Sequence, residues 1–178
     1  MSKMSWLGYG PHETYPDRKA ADWKVHCCQV DDLHVPYVVP SENGGRADVH
    51  WAAFTAPSGE GLLLHYSCND EPAPDSVPQD QEPSKRPAGT RGAQLSASRY
   101  TMEEVEAASH RHKLPTATAR PVQVPVHLDT AHLGVGGVGE GGSKLWATAT
   151  QFFVSPQKGP WRYQVGLQPL TAESWQGP

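Results

Sequence analysis

Apolar and polar residues alternate in several short stretches of this chain, which is the pattern of half-buried β-strands. The alternation, or a short apolar run between turn signals, predicts strands at residues 23–30, 46–56, 61–68, 121–137, 145–155 and 161–170. The last two would form a hairpin through the PQKGP turn, and residues 35–45 contain two prolines that confine them to an edge strand or an extended arm. About seven strands predict an all-β fold of the β-sandwich type.

One stretch, SASRYTMEEVEAASHRHKLP at residues 96–115, is typical of a helix instead. Thr101 is a suitable N-cap, and Glu104 follows three residues later, so that the two form a T-x-x-E capping box. Pro115 bars further helix. We therefore expect one short helix near residues 101–113.

The segment at residues 69–94 differs from the rest because it contains five prolines, mixed charges and one large apolar residue, Val77. Such a composition buries too little apolar surface to offset the entropy lost on ordering. We interpret it as a disordered, proline-rich insertion within a single domain spanning residues 1–174.

Composition narrows the class of partner. The chain has 178 residues, with 15 basic and 19 acidic side chains and a net charge of −4, so nucleic acid and anionic membranes are not expected partners. No apolar run approaches the 18 residues of a membrane span, no signal peptide is visible, and the three cysteines form no disulfide framework. These features predict a cytoplasmic protein whose fold begins upstream of Met1.

Motifs for cofactors and metals are weak. GVGGVGEGG at residues 134–142 contains G-x-G-x-x-G spacing, but no βαβ unit surrounds it, so a dinucleotide site is not expected. No histidine or cysteine spacing matches a structural zinc site. His110 and His112 fit either a helix C-terminus, where positive charge is favourable, or plain hydrogen bonding in the core. We expect no metal and no cofactor in this chain.

Glycoside hydrolysis uses a pair of carboxylates, and the chain offers five candidates: Glu13, Asp17, Glu42, Asp48 and Asp129. Basic residues lie beside some of these, as in the Asp17-Arg18 pair and around Glu42 and Arg46. Such neighbours favour ion pairs that fix turns over acid catalysts with raised pKa values. No catalytic residue is predicted.

Trp146 stands at the start of a predicted strand, just after a glycine-rich turn. An indole in that place could pack its face on a sugar ring, because the C–H patches of sugars pack well on aromatic surfaces. The alternative is an ordinary core tryptophan of a sandwich.

Four motifs in order resemble the C-terminal, small-chain domain of glycoside hydrolase family 2 β-galactosidases. They are GYGPHETYPDRK (8–19), PYVVPSENGGRADVHW (36–51), SASRYTMEEVEAASHRHKLP (96–115) and HLDTAHLGVGG (127–137). The resemblance implies a supersandwich of the galactose mutarotase type, of which this chain is only the C-terminal part. It implies structural roles for the motif residues Glu13, Asp17, Arg18, Glu42, Asn43, Arg46, Arg99, His110 and His112.

The same resemblance implies a function for the whole enzyme, namely hydrolysis of terminal β-D-galactosides such as lactose. The catalytic glutamates would lie in a separate barrel domain that this chain lacks, and magnesium and sodium would bind mainly outside it. Partners would be the β-galactoside, the rest of the chain or a complementary large subunit, and further copies in a homo-oligomer.

In this resemblance Trp146 corresponds to a substrate-binding tryptophan. Here it follows GGSKL, with Ser143 and Lys144 in place of two aspartates of the family's turn. Two other readings stay open. The chain could be a non-catalytic carbohydrate-binding or relic module, or it could be a truncated gene product or a split subunit.

Overall fold

A computed structural model of the chain describes residues 1–41, 43–68, 91–116, 123–132, 134–135, 162–175 and 177. Within these ranges the chain forms eight strands, one α-helix and two 3-10 turns. The strands are β1 (Lys3–Gly10), β2 (Asp22–Gln29), β3 (Arg46–Val49), β4 (Trp51–Thr55), β5 (Gly61–Cys68), β6 (Ala93–Ala97), β7 (Val126–Asp129) and β8 (Tyr163–Leu170). The helix is α1 (Met102–Ala107), and the 3-10 turns are Val30–Asp32 and Arg111–Lys113.

The strands form two antiparallel sheets with the apolar core between them. One sheet has the order β2-β1-β4-β5-β8 and the other the order β3-β6-β7. Alternate positions of the central strands point inward, so that side chains of both sheets form one cluster with Val30 and Leu33 at the first 3-10 turn. The strand residues of this cluster are Met4, Trp6, Val49, Ala52, Phe54, Leu95 and Ala97. The all-β, sandwich-type prediction is confirmed.

Asp48 lies at an irregularity within β3, two residues before the chain leaves the smaller sheet at His50 and enters the larger one. Asp48 has a φ of 56°, in the left-handed region that a residue with a side chain seldom adopts. Its buried carboxylate accepts a hydrogen bond from Gly92 N at 2.7 Å. The single strand expected at residues 46–56 is wrong, because His50 separates β3 from β4 and these two strands belong to different sheets.

The helix is shorter than the sequence indicated. The capping box is confirmed, since Thr101 Oγ1 accepts from Glu104 N and Thr101 N donates to the Glu104 carboxylate. However, α1 ends at Ala107, because Ala108 and His110 have extended backbone angles. The helix near 101–113 is thus one α-helical segment followed by a separate 3-10 turn.

Two other expected segments also differ. Strand β6 begins at Ala93, so residues 93–94 belong to a strand rather than to the predicted insertion, and Ala93 is fully buried. Residues 69–90 lie outside the described residues, as do those of the strand predicted at 145–155. No strand forms among the described residues of the 35–45 segment. Instead, the side-chain amide of Asn43 accepts a hydrogen bond from Val35 N and donates one to Val35 O.

The five-stranded sheet extends its apolar inner face beyond the smaller sheet. Val165 and Leu167 of β8 lie beside the buried Tyr66 and Leu64 of β5, on the same face. The side chains that continue this face are nevertheless 59%, 38% and 63% exposed, for Tyr163, Val165 and Leu167 respectively. We call these three residues the β8 strip.

Among the described residues there is no helix long and apolar enough to cross a membrane.

Truncation of a core leucine and of a β8 leucine should have unequal effects. Leu95 is fully buried between the sheets, so Leu95→Ala should lower the free energy of unfolding by about 2–5 kcal/mol. Leu167→Ala, the matched control in the exposed strip, should change it by less than about 0.5 kcal/mol. Urea unfolding of the two variants measures the difference, and equal losses would contradict the described packing.

Candidate functional site

The carboxylate of Glu13 is the centre of the loop that follows β1. Glu13 is 5% exposed, and its two oxygens accept hydrogen bonds from the Arg18 guanidinium, Tyr37 Oη at 2.6 Å, Tyr15 Oη at 3.2 Å and Gly44 N at 3.2 Å. We call this group of five residues the Glu13 node. It joins the loop after β1 to the segment before β3, about thirty residues later in the chain.

The electrostatics of the node suit a permanently charged carboxylate. Burial on its own would raise the pKa of Glu13, but the hydrogen bonds from Tyr37, Gly44, Arg18 and Tyr15 together lower it below its ordinary value of 4.5. Burial raises the pKa of Tyr15 to about 12, so its hydroxyl stays protonated and keeps donating. A general acid needs the opposite shift, so this carboxylate is poorly suited to protonate a leaving group.

Thr14 extends the attachment to two of the three strands of the smaller sheet. Its N–H donates to Gly45 O at 2.8 Å and its hydroxyl accepts from Ala47 N at 2.8 Å. Its carbonyl accepts from Gln94 Nε2 of β6 at 2.9 Å. Hydrogen bonds from side chains as well as from the backbone therefore attach the loop after β1 to β3 and β6.

Arg46 lies in the core directly after this segment. It is 3% exposed, donates from Nη1 to Gly44 O at 2.7 Å, and has its guanidinium 5.3 Å from the centre of the Trp6 ring. The His26 ring packs against Trp6 at a tilt of 30°, with 5.2 Å between ring centres. Burial lowers the pKa of Arg46. The guanidinium is held by carbonyls and a ring face, which is a packing role.

The other residues singled out from the sequence are dispersed. The Asp17 carboxylate accepts from Val135 N at 3.1 Å, while its neighbour Arg18 reaches Glu13 instead. Arg99 pairs with Asp31 at 3.2 Å. The exposed rings of His110 and His112 stack on each other beyond the end of α1, so they do not sit in its last turn. Glu42 and Trp146 lie outside the described residues.

Two cavities lie on the outer side of the three-stranded sheet. The first has a volume of about 270 Å³ and is lined by β6, β7, the start of α1 and the segment at 34–43, including His34, Tyr100 and His127. The second, of about 180 Å³, is lined by residues that include Tyr15, Gln94, Asp129 and His132. Asn43 and Ser96 line both cavities, so the two adjoin.

Sequence reasoning missed most of these residues. Glu13 contacts Tyr15, which is two residues away, and Tyr37 and Gly44, which are distant in the chain. Nothing in the linear sequence pattern links these positions. The strand at residues 94–98 could have been predicted, since the polar Gln94, Ser96 and Ser98 alternate with Leu95 and Ala97. Assigning residue 94 to an insertion and residues from 96 to the helical segment concealed that alternation.

The metal-ligating side chains of the described ranges are dispersed. Within them, no group of three or more histidine, cysteine, aspartate or glutamate side chains could hold a metal ion. Cys27 is exposed and Cys28 is half-buried. Burial raises the pKa of the Cys28 thiol to about 11, which makes it a poor ligand or nucleophile at neutral pH.

Comparison with known proteins identifies the class. A family model described as the beta galactosidase small chain matches residues 1–167. The chain is 33% identical over 135 residues to a β-galactosidase of Psychromonas ingrahamii and 32% identical over 135 residues to one of Priestia megaterium. Each alignment covers 75% of this chain and 10% of the relative. β-Galactosidase BgaC of Bifidobacterium adolescentis is 31% identical over 136 residues, which are 76% of this chain and 11% of the relative.

These matches and the two-sheet fold place the chain in a glycosidase family. The chain belongs to the β-galactosidase small-chain family. It spans about a tenth of the length of the curated relatives that it matches.

Removing the charge of Glu13 should destabilise the fold. Glu13→Gln leaves Tyr37, Tyr15, Gly44 and Arg18 with a neutral and partly mismatched acceptor, so we expect a loss of about 1–3 kcal/mol at pH 7. Because the folded-state pKa of Glu13 is lowered, its contribution is present above about pH 4.5 and disappears as the pH falls through the folded pKa.

The measurement is urea unfolding of wild type and Glu13→Gln at pH 7 and at stepwise lower pH. The gap between the two proteins should narrow on acidification. Glu173→Gln, at an exposed position on the turn after β8, is the matched control and should be within about 0.5 kcal/mol of wild type. A Glu13→Gln protein as stable as wild type at pH 7 would overturn the role given to the node.

Proposed function

We propose that this chain is the C-terminal structural segment of a β-galactosidase, completed by the rest of that enzyme or by a complementary large subunit. The observation that carries the proposal is the β8 strip, where the inner, apolar face of the larger sheet continues without a facing layer among the described residues. A core-forming face left open in this way is suited to burial by further protein. Two findings support the rest of a β-galactosidase as the protein that buries the strip. The chain belongs to the small-chain family, and it matches only a small share of each relative.

A second exposed apolar group supports the same proposal. Tyr37, Val38 and Val39, in the loop clamped by Asn43, are 45%, 75% and 61% exposed. Tyr37 is also a donor to Glu13, so the node fixes the place from which this loop projects. The loop and the β8 strip are surfaces on which the remainder of the enzyme and further copies in a homo-oligomer would pack.

The completed enzyme would hydrolyse terminal β-D-galactosides, such as lactose, with retention, through two carboxylates supplied by the other part. The low pKa and full hydrogen bonding of Glu13 support a purely structural role in this chain. Trp146 would contribute a face for the sugar to stack on. Magnesium and sodium would be held mainly by the other part, and the cytoplasm remains the predicted location.

The proposal predicts no activity in isolation and activity on completion. The purified chain should not hydrolyse a chromogenic β-galactoside. It should restore hydrolysis when mixed with, or fused to, the Psychromonas ingrahamii β-galactosidase from which the matching segment of 135 residues has been removed. Hydrolysis by the chain alone, with contaminating enzyme excluded, would refute the proposal, and so would failure of both the mixture and the fusion.

Matched variants link restoration to the β8 strip. Leu167→Lys places a charge on the strip and should raise the concentration of chain needed for half-maximal restoration by about tenfold or more, since burying an unpaired charge is costly. Thr171→Lys adds the same charge at an exposed position just past β8 and should have little effect. Equal behaviour of the two variants would contradict docking at the strip.

A further inference from the structure

Asn43 and Gly44 form an Asn-Gly step in the segment before β3. Asparagine is thermolabile because its side-chain amide is lost when the next backbone nitrogen attacks it. Glycine in the next position makes this attack fastest in an unfolded chain, since it has no Cβ to shield its own nitrogen. Asn69, the other asparagine in the sequence, is followed by Asp70, whose side chain hinders the same attack.

This deamidation requires no reagent except water. The Gly44 N–H loses its proton to solvent, and the nitrogen forms a bond to Asn43 Cγ. The bond between Cγ and Nδ2 then breaks, and Nδ2 takes a proton from solvent and leaves as ammonia. A cyclic succinimide remains. Water opens this ring at Cγ to give aspartate, or at the backbone carbonyl carbon to give isoaspartate.

The amide of Asn43 is held by hydrogen bonds in the folded chain. It accepts from Val35 N at 3.0 Å, and its Nδ2 donates to Val35 O at 2.7 Å. Tyr37 N also donates to Val35 O at 2.9 Å, so the backbone that holds the amide is itself fixed in a turn. Attack at Cγ makes this planar group tetrahedral and then expels Nδ2, so the reaction requires loss of the bond to Val35 O.

The attacking nitrogen is restrained by Glu13. Gly44 N donates to Glu13 Oε2 at 3.2 Å, and the Glu13 side chain is buried. Removal of the Gly44 proton would place a second negative charge beside a buried carboxylate, which is unfavourable in surroundings of low polarity. The pKa of Glu13 is lowered, so this carboxylate is also a weak base and does not take the proton itself.

Solvent nevertheless has access to Asn43. This residue is half-buried and lines both cavities on the outer side of the three-stranded sheet. Water for ring opening and an exit for ammonia are therefore available. The barrier that the fold adds comes from the hydrogen bonds to Val35 and Glu13 and not from exclusion of water.

We propose that Asn43 is a latent deamidation site, which the Glu13 node protects in the folded chain and which reacts when the node opens. The change is irreversible and weakens the same node. It replaces Nδ2, a donor to Val35 O, with an acceptor, and it adds negative charge near Glu13. Isoaspartate also adds a methylene to the backbone beside Gly44. The site goes beyond the proposed function, because it requires no other part of a β-galactosidase.

The test is peptide mass spectrometry of the full 178-residue chain after incubation at neutral pH, in buffer and in urea. In urea, Asn43 should deamidate faster than Asn69. In buffer, Asn43 should react at least about tenfold more slowly than in urea, because reaction requires local opening. A synthetic peptide of residues 39–48, incubated in both media, corrects for the effect of urea itself. Equal or faster reaction of Asn43 in the folded chain would overturn the proposal.

Two variants link the protection to the node. Glu13→Gln should accelerate deamidation of Asn43 in buffer by about tenfold. Tyr37→Phe removes one donor but keeps the carboxylate, and it should accelerate the reaction by a smaller factor. Glu173→Gln, at an exposed position, is the matched control and should react at the wild-type rate. Wild-type rates in both node variants would overturn the role of Glu13. If circular dichroism shows that Glu13→Gln is unfolded, Tyr37→Phe alone decides.

A further variant tests the consequence of the reaction. Asn43→Asp reproduces one of the two products and should unfold at a lower urea concentration than wild type at neutral pH, because it brings an acceptor to Val35 O. Gln164→Glu makes the same change from amide to acid at an exposed position of β8 and should unfold as wild type does. Equal unfolding midpoints for Asn43→Asp and wild type would contradict the weakening of the node.

Discussion

The burial of one carboxylate constrains the rest of this structure. Glu13 can remain charged inside the protein only if donors surround it, and those donors come from its own loop and from the segment before β3. Donating to Glu13 fixes the position of Gly44. This residue has a φ of 73° and lies so close to Leu33 O that a Cβ would clash with that oxygen. The chain then enters β3 with Arg46 placed over Trp6, at the centre of the core.

The hydrophobic pattern predicted those parts of the fold that depend on local sequence. The strand at 61–68 and the Thr101–Glu104 capping box were visible because alternation and cap chemistry are local. The irregularity of β3 at Asp48 was not visible, because a positive φ outside glycine leaves no mark in a hydrophobicity pattern and the hydrogen-bond partner of Asp48, Gly92, lies 44 residues away. The node was recognisable only as a motif, since Tyr37 and Glu13 are 24 residues apart.

Two surfaces of opposite character follow from this architecture. The β8 strip is a continuation of the core face and is apolar, which fits burial against other protein. The outer face of the smaller sheet is polar, with Asp129, Ser96 and His127 beneath two adjoining cavities. The motif around Glu13 serves both surfaces indirectly, because it positions the loop that projects Tyr37 and places Tyr15 in the wall of the smaller cavity.

The central claim is that the carboxylate of this motif supports architecture and not chemistry. The most direct measurement is kcat per assembled complex when Glu13→Gln is combined with the remainder of a β-galactosidase. The account predicts that more chain is needed for assembly while kcat at saturation stays within about twofold of wild type. A fall in kcat of two or more orders of magnitude in the fully assembled complex would show that Glu13 takes part in the reaction.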